Sequence, residues 1–233
     1  MIRAFDLIVV GGGINGAAIS RDAAMRGLRT LLLEADDFAS GASGHNGRMI
    51  HGGLRYLENA DLRLVREALR EQATLLRIAP HLVRRTTLLL PVMKESRHPA
   101  WKVRLGLVAL DLLAGAWPMR HQRLDRQEVL SRVPAIRDDS LRAGFVMQDA
   151  TADHAERLTL EMVLAAAEAG AEVRNRARVS KISAQATGGL SVEWLEADAG
   201  HRASAPVVVN ATGAWVDEVL ATATAKLSLG LVL

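Results

Sequence analysis

The chain has 233 residues, of which 49% are hydrophobic and 24% are charged, with a formal net charge of +3. These values are typical of a soluble globular protein with one large domain or two small ones. The small charge excess and the 3% aromatic content argue against a dedicated nucleic-acid binder. Because the chain contains no cysteine, disulfides, thiolate metal sites and cysteinyl-linked cofactors are excluded.

The amino-terminal segment is predicted to form a strand, a helix and a second strand. The apolar run over residues 5–10 is typical of a buried parallel strand, and the segment after it predicts a turn and a helix that ends at Gly27. The stretch "RTLLLEADD" predicts a second strand that ends in acidic residues. A helical crossover of this length suits a βαβ unit.

A glycine-rich turn lies between the first strand and the helix, where Gly11, Gly13 and Gly16 fit the pattern G-x-G-x-x-G. The first glycine permits a tight turn, the second lets backbone amides approach a pyrophosphate, and the third lets the helix pack on the strand. Glu34 follows the second strand and is placed to accept hydrogen bonds from ribose hydroxyls. An acid at this position disfavours the 2′-phosphate of NADP, so the unit predicts binding of NAD or FAD.

Further helices and strands are predicted along the rest of the chain. They are an extended loop over 38–53, a helix over 60–78, an edge strand over 86–93, a partly separate insertion over 97–142, a helix over 154–169 and two strands after it. Residues 205–210 are predicted as a buried strand, followed by a turn and a short helix. Residues 226–233 form an apolar, strand-like run, and we expect the chain to be cut inside a domain there.

An apolar run over residues 105–119 is the segment most similar to a membrane span. It falls short of the roughly 20 apolar residues that a span requires. Lys102, Arg104 and Arg120 flank it, and Trp101 and Trp117 lie near its ends. Both a buried helix and a helix that lies on a membrane surface fit this pattern.

A second strand-to-turn motif distinguishes between the two cofactors. The stretch "VVVNATGAW" over residues 207–215 places Ala-Thr-Gly directly after a strand. It is similar to the late flavoprotein motif, in which a tight turn abuts FAD. The motif therefore favours FAD over NAD.

Several segments together resemble the FAD-dependent, quinone-linked glycerol-3-phosphate dehydrogenase family. They are "DLIVVGGGINGAAISRDAAMRGL", "MIHGGLRYLENADLRLVREAL", "APHLV", "PAWKVRLGL" and "VVNATGAWVDEV". The resemblance implies an α/β fold with an FAD/NAD(P)-binding, Rossmann-like domain of the glucose-oxidase and amino-acid-oxidase type. It also implies a discontinuous FAD-binding domain over 1–80 and 150–220, part of a substrate or cap region over 81–149, and the start of a truncated substrate domain over 221–233.

The resemblance also implies roles for individual residues. The residues expected to hold FAD are Gly11, Gly13, Asn15, Gly16, Glu34, Ser43, Met49, Gly52, Val179, Ala211 and Gly213. Arg55 and Tyr56 are expected to face the phosphate of the substrate, since a planar guanidinium suits bidentate recognition of that group. His51 is the best candidate in this chain for the base that takes the hydroxyl proton. No metal site is expected, because the remaining histidines lack ligand spacing.

The implied reaction is FAD-dependent oxidation of sn-glycerol 3-phosphate to dihydroxyacetone phosphate, with electrons passed to membrane quinone. A peripheral contact with the inner face of the cytoplasmic membrane, an otherwise cytoplasmic location and a homodimer are further expectations. Two alternatives stay open. One is an FAD oxidoreductase that acts on another polyol phosphate or an amino acid, and the other is a non-catalytic fragment that binds FAD partially or not at all.

Three further polar residues are not expected to belong to the active site. The stretch over residues 41–47 replaces a serine-rich segment of the family, and His45 within it is predicted to be a surface loop residue. Asp149 and Asp153 could suggest paired carboxylates, but we predict a helix N-cap at Asp153 instead.

Overall fold

A computed structural model describes residues 3–53, 56, 61–114, 121–136, 139–186 and 188–224. The chain divides into two compact units. The first unit takes in the chain up to Gly47 and again from His154, and the second unit is Arg48–Asp153. These limits differ from the boundaries predicted at residues 80 and 150, and the assignment of functions to the predicted domains stays a prediction.

The elements follow one another along the chain as helices and strands. The helices are α1 (Ile14–Met25), α2 (Leu62–Ile78), α3 (Ala100–Leu113), α4 (Arg126–Arg132), α5 (Ala155–Glu168) and α6 (Val216–Ala221), with a 3₁₀ turn at Gly213–Trp215. The strands are β1 (Arg3–Ala4), β2 (Leu7–Val10), β3 (Thr30–Leu33), β4 (Met49–Ile50), β5 (Val83–Met93), β6 (Gln122–Leu124), β7 (Leu141–Ala152), β8 (Glu172–Arg174), β9 (Ala177–Ala184), β10 (Leu190–Glu196), β11 (Ala199–Ala205) and β12 (Val207–Asn210).

The first unit is built on a parallel sheet with the strand order β12-β2-β3-β8. The strand β2, the helix α1 and the strand β3 form the predicted βαβ unit. All four residues of β2 and all four of β3 are buried. Strands covered on both faces need continuous apolar runs, which explains the sequences "LIVV" and "TLLL".

Two layers cover the faces of this parallel sheet. Leu7, Val9 and Leu32 pack against side chains of α1 and α5 on one face. On the other face Ile8 and Leu31 pack against a second sheet with the order β1-β11-β10-β9. This arrangement confirms the predicted α/β fold class.

The second unit has its own core around an antiparallel sheet with the order β4-β7-β5, with β6 also paired to β7. Phe145 at the centre of β7 is fully buried, together with Val65 from α2 and Leu107 from α3. Pro91 lies on β5, an edge strand in this sheet, as predicted from its missing N–H.

The structure corrects several predicted elements. The strand β12 lies at an edge of the parallel sheet, and Val207 is 51% exposed, so the prediction of a buried strand was wrong. The N-cap of α5 is His154, without a capping side chain, so the N-cap prediction for Asp153 was also wrong. Asp153 instead forms an ion pair with Arg84. The strands β7 and β11 were not predicted, and residues 226–233 lie outside the described residues.

The apolar run that begins at residue 105 forms most of α3, which is half-buried. Leu107 and Leu110 lie in the core of the second unit. Trp101, Leu105 and Leu112 are 69%, 62% and 77% exposed on the other side of the helix. No helix within the described part of the chain is long and apolar enough to cross a membrane.

Candidate functional site

The carboxyl ends of three parallel strands meet in the first unit. Gly11 follows β2, Glu34 follows β3 and Ala211 follows β12. Because β12, β2 and β3 are parallel and in register, these three residues lie at the same edge of the sheet. Ligands of open α/β sheets bind outside this edge.

The glycine turn is closed by contacts between backbone atoms. Gly11 has a φ of 105°, and a Cβ atom added there would lie 2.7 Å from the carbonyl oxygen of Ala211. A Cβ atom at Gly16 would lie 1.8 Å from the carbonyl oxygen of Gly11. Both positions therefore require glycine for the chain to take this path.

The amino terminus of α1 lies at the same edge. Its N-cap is Gly13, which provides no capping side chain. The amide of Ile14 donates to the hydroxyl oxygen of Ser43 at 2.9 Å, so Ser43 lies directly beside the first turn. Asn15 and Gly16 also belong to this first turn. First-turn amides have no partners within the helix and suit an anion.

Glu34 is held at the end of β3 by two backbone amides. Gly12 N–H donates to one carboxylate oxygen at 2.6 Å, and Asp36 N–H donates to the other at 2.9 Å. Each carboxylate oxygen can accept a further hydrogen bond, so the fixed carboxylate can still accept from hydroxyl groups. The nearby Asp37 carboxylate accepts hydrogen bonds from the Asn175 side chain and from Phe38 N–H. These bonds lower the pKa of Asp37, the one from Asn175 most strongly.

The turn after β12 is braced by a side chain to which the sequence interpretation gave no role. The Asn210 side-chain oxygen accepts from the Thr212 hydroxyl at 2.6 Å, and its amide donates to the Val216 carbonyl at 3.0 Å. Gly213 begins the 3₁₀ turn with a φ of 60°. In the same unit Val179 lies in β9 opposite Trp194, with its side chain in the core.

The structure therefore brings most of the predicted FAD residues together in the first unit. Gly11, Gly13, Asn15, Gly16, Glu34, Ser43, Ala211 and Gly213 lie on segments that follow β2, β3 and β12. Met49 and Gly52 belong to the second unit. Whether each of these residues contacts the cofactor stays a prediction.

The second unit contains the segment with the other predicted site residues. His51 and Gly52 follow β4, which pairs with β7 through Met49↔Thr151 and Ile50↔Ala150. A Cβ atom at Gly52 would lie 3.0 Å from the Leu69 side chain, so this loop packs closely on α2. Tyr56 is 37% exposed, and Arg55 lies outside the described residues.

Asp149 is a buried carboxylate beside this segment. It lies in β7 with 4% exposure and accepts a hydrogen bond from Gly52 N–H at 3.0 Å. Gln72, on α2, donates to the same oxygen at 2.5 Å. The sequence interpretation gave Asp149 no role. An acidic residue shortly after the apolar run over residues 143–147 was the signal that could have shown it.

The fold and the open strand edge define a dinucleotide-binding protein of the flavoprotein type. The chain belongs to the FAD dependent oxidoreductase family, also called DAO, which matches residues 6–231. FAD is the cofactor of this family. The backbone-closed glycine turn, the amino terminus of α1 and the fixed carboxylate of Glu34 all fit a dinucleotide.

Individual proteins similar to this chain act on phosphorylated polyols, according to their names. The glycerol-3-phosphate dehydrogenase of Synechocystis sp. is 40% identical over 222 residues, which cover 93% of this chain and 40% of that protein. The D-erythritol 1-phosphate dehydrogenase of Brucella abortus is 42% identical over 226 residues, 96% of this chain and 44% of that protein.

A solved structure shows the same fold. The FAD complex of the glycerol-3-phosphate dehydrogenase from Bacillus halodurans superimposes with a TM-score of 0.72 at 28% identity. The match covers 94% of this chain and 36% of that one. The chain thus spans about two fifths of the length of the curated relatives it matches.

Proposed function

We propose that this chain provides the FAD-binding part of a dehydrogenase that oxidises sn-glycerol 3-phosphate to dihydroxyacetone phosphate. The observation that carries this proposal is the strand edge at which Gly11, Gly16 and Ala211 meet backbone to backbone beside Glu34. The choice of substrate is supported by the names of the similar proteins from Synechocystis and Bacillus halodurans.

FAD would be held mainly by the first unit. The first-turn amides of α1 and the Ser43 hydroxyl would surround the pyrophosphate, and the Glu34 carboxylate would accept from ribose hydroxyls. Backbone groups of Val179 would contact adenine, and Ala211 and Gly213 would close over the cofactor. Met49 and Gly52 would line its flavin end. When bound, FAD supplies the hydride acceptor.

The substrate would be held by the segment that follows His51. Arg55 would donate to two oxygens of the phosphate, and the Tyr56 hydroxyl would donate to a third. His51 would take the proton of the substrate hydroxyl. A phosphate dianion suits a guanidinium and a phenol, and a carboxylate would suit them less completely.

The electrons would leave to a membrane quinone, and α3 would supply a surface for the membrane contact that this step needs. Its exposed apolar residues follow helical spacing and form a stripe composed of Trp101, Leu105, Val108 and Leu112. Lys102 and Arg104 are exposed on the same helix and suit an anionic lipid surface. A homodimer is a further proposal.

The experiment that tests the proposed function is an absorbance spectrum of the purified protein, followed by anaerobic addition of substrates. We expect flavin bands that are bleached by glycerol 3-phosphate. Bleaching by D-erythritol 1-phosphate alone would favour the second substrate, in line with the similar Brucella abortus protein. Bleaching by an amino acid such as L-proline alone, or the absence of flavin bands, would contradict the proposal.

A variant pair in the full-length enzyme tests the phosphate contact. Loss of one charge-assisted contact costs about 1.5–3 kcal/mol, so Arg55→Ala in that enzyme should reduce kcat/KM roughly 10- to 150-fold while flavin content is kept. The matched control is Arg63→Ala, since Arg63 is an exposed arginine whose partner is Glu67 on the same helix. Equal kinetics for the two variants would remove Arg55 from the substrate site.

A further inference from the structure

The carboxylate of Asp149 has two oxygens with different surroundings. Oδ1 accepts hydrogen bonds from Gly52 N–H at 3.0 Å, from Gln72 Nε2 at 2.5 Å and from its own neighbour Ala150 N–H at 3.0 Å. These donors come from the loop after β4, from α2 and from β7. Oδ1 therefore ties the loop of His51 and Gly52, which we call the histidine loop, to the core of the second unit.

The same anchor reaches the residue before His51. Gln72 Nε2 also donates to the carbonyl oxygen of Ile50 at 2.5 Å. Gln72 is 2% exposed, so its amide is fixed between Ile50 and Asp149. The backbone on both sides of His51 is thus held by one buried polar network, whose members lie within Arg48–Asp153.

The second oxygen, Oδ2, faces His51. Its distance to the imidazole Nδ1 is 3.7 Å, while the side chain of Asp149 is only 5% exposed and that of His51 is 64% exposed. A separation of 3.7 Å is longer than a hydrogen bond, and a shift of roughly 0.5–1 Å would close it. Catalytic hydrogen bonds are often long before the reacting complex forms.

A buried carboxylate oxygen in this position favours one form of the neutral imidazole. An acceptor beside Nδ1 stabilises the tautomer with its proton on Nδ1, and this tautomer leaves the Nε2 lone pair free. The same logic applies to the histidine and aspartate of serine protease triads. The exposed imidazole of His51 leaves Nε2 accessible to a ligand.

We infer that Asp149 is a positioning residue that holds His51 as the Nδ1–H tautomer, so that Nε2 can accept the hydroxyl proton of a phosphorylated polyol. This inference rests on the proposed function and deepens it. In the oxidation the O–H bond would break and its proton would move to Nε2 of His51. The electron pair of that bond would form the carbonyl, and the C–H hydrogen would leave as hydride, for which bound FAD would be the acceptor.

The substitution Asp149→Asn separates this role from the anchoring role. The Asn side-chain oxygen can keep the bonds from Gly52 and Ala150, while its NH₂ group replaces Oδ2 and faces His51 as a donor. A donor beside Nδ1 favours the opposite tautomer, with the proton on Nε2. A purely structural role for Asp149 would leave the tautomer of His51 unchanged.

The direct test is two-bond ¹H–¹⁵N correlation NMR of ¹⁵N-histidine-labelled protein at a pH where the imidazole is neutral, with His51 assigned by His51→Gln. We expect the Nδ1–H tautomer in the natural protein, the Nε2–H tautomer in Asp149→Asn, and no change in Asp153→Asn, whose carboxylate pairs with Arg84 instead. An Nε2–H tautomer in the natural protein overturns the inference, as does an unchanged tautomer in Asp149→Asn. The natural spectrum decides even where the variant does not fold.

A kinetic measurement connects the tautomer to the reaction. General-base catalysis contributes about 10²–10⁴-fold, so a misplaced proton should lower kcat about 10- to 100-fold, with KM and flavin content little changed. An unchanged kcat together with a switched tautomer would overturn the catalytic role of this positioning. Failure of glycerol 3-phosphate to bleach the flavin would instead count against the proposed function, and the NMR result would still report on Asp149.

Discussion

Gly13 and Gly16 lie three residues apart in the same turn, but a side chain would meet different surroundings at each. Gly13 has a φ of −75°, which any residue adopts, and an added Cβ atom would meet only the Ser43 hydroxyl at 3.1 Å. At Gly16 the Cβ atom would overlap a backbone oxygen, since the separation is 1.8 Å. Folding of this turn therefore requires glycine at position 16 but does not require it at position 13.

We expect Gly13→Ala to weaken FAD binding and to leave the fold intact. A methyl group there blocks the approach of the backbone to the pyrophosphate, and losing one charge-assisted contact costs about 1.5–3 kcal/mol, or roughly 10- to 150-fold in Kd. Gly16→Ala should instead lower the free energy of unfolding by about 1–3 kcal/mol or more through overpacking. Urea unfolding and flavin fluorescence titration distinguish the two, and equal effects of both variants on folding would contradict this division.

Glu34 provides a second prediction at the scale of one residue. Glu34→Gln removes the charge and one of the two oxygens that accept from Gly12 and Asp36. Because hydrogen bonds to charged groups contribute about 1.5–3 kcal/mol, we expect FAD affinity to fall at least about 10-fold. Glu161→Gln is the control, since Glu161 forms an i, i+4 pair with Arg157 on α5. Comparable FAD affinity in both variants would exclude Glu34 from the ribose contact.

At the scale of elements, the amino ends of β2 and β3 are joined by an ion pair. Asp6 precedes β2 and accepts from the Arg29 side chain at 2.7 Å and from Arg29 N–H at 2.8 Å, just before β3. The side-chain hydrogen bond from Arg29, followed by the one from its backbone, lowers the pKa of Asp6 from its ordinary 3.8 to about 2. The carboxylate therefore stays ionised in the folded state well below pH 4.

This lowered pKa predicts an acid-dependent loss of stability. A group with a depressed pKa in the folded state stabilises the protein above its ordinary pKa, and this contribution is lost as the pH falls through the folded value. We expect part of the stability to disappear between about pH 4 and pH 2, and Asp6→Asn to lack that part. Thermal unfolding at several pH values measures it. Asp22→Asn should show a smaller effect, because Asp22 pairs with Arg26 one turn along α1, where both side chains are exposed.

Helix α3 has an exposed apolar stripe, for which we propose the membrane contact. We expect the protein to sediment with vesicles of anionic lipid and to bind neutral vesicles less well. Leu112→Glu should weaken partitioning roughly 10-fold, since a buried leucine contributes about 1.5–3 kcal/mol. Leu164→Glu is the matched control, because Leu164 is 47% exposed on α5. Equal losses in both variants would contradict the membrane contact. A dimer in sedimentation equilibrium whose interface covers the stripe would contradict it too.

At the scale of the whole molecule, the absence of cysteine limits how a flavin can be attached. We expect FAD to be bound non-covalently and to be released when the protein is precipitated with acid. Yellow colour that remains in the pellet would contradict this and indicate a histidyl link, with His45 and His51 as the candidates. Mass spectrometry of the washed pellet provides the check.

Much of the first unit could be predicted from the sequence, because its signals are local. The apolar runs of β2 and β3 are continuous since both faces of each strand are covered. The glycines between them mark a turn whose backbone contacts leave no room for side chains. Glu34 follows at the spacing that such a unit requires, so the edge of the sheet, and with it the family, could be recognised without coordinates.

The surroundings of the histidine loop follow from contacts between residues far apart in the sequence. Asp149 lies 97 positions beyond Gly52 in the sequence, and the two meet because β4 pairs with β7. The strand β7 was not predicted, and no periodicity in the sequence fixes which strand it joins or in which register. The dinucleotide fold and its cofactor class could thus be inferred from the amino-acid sequence, since glycine turns and apolar runs act over a few residues. The carboxylate beside His51 depends on strand pairing over long range, and so only the folded chain reveals it.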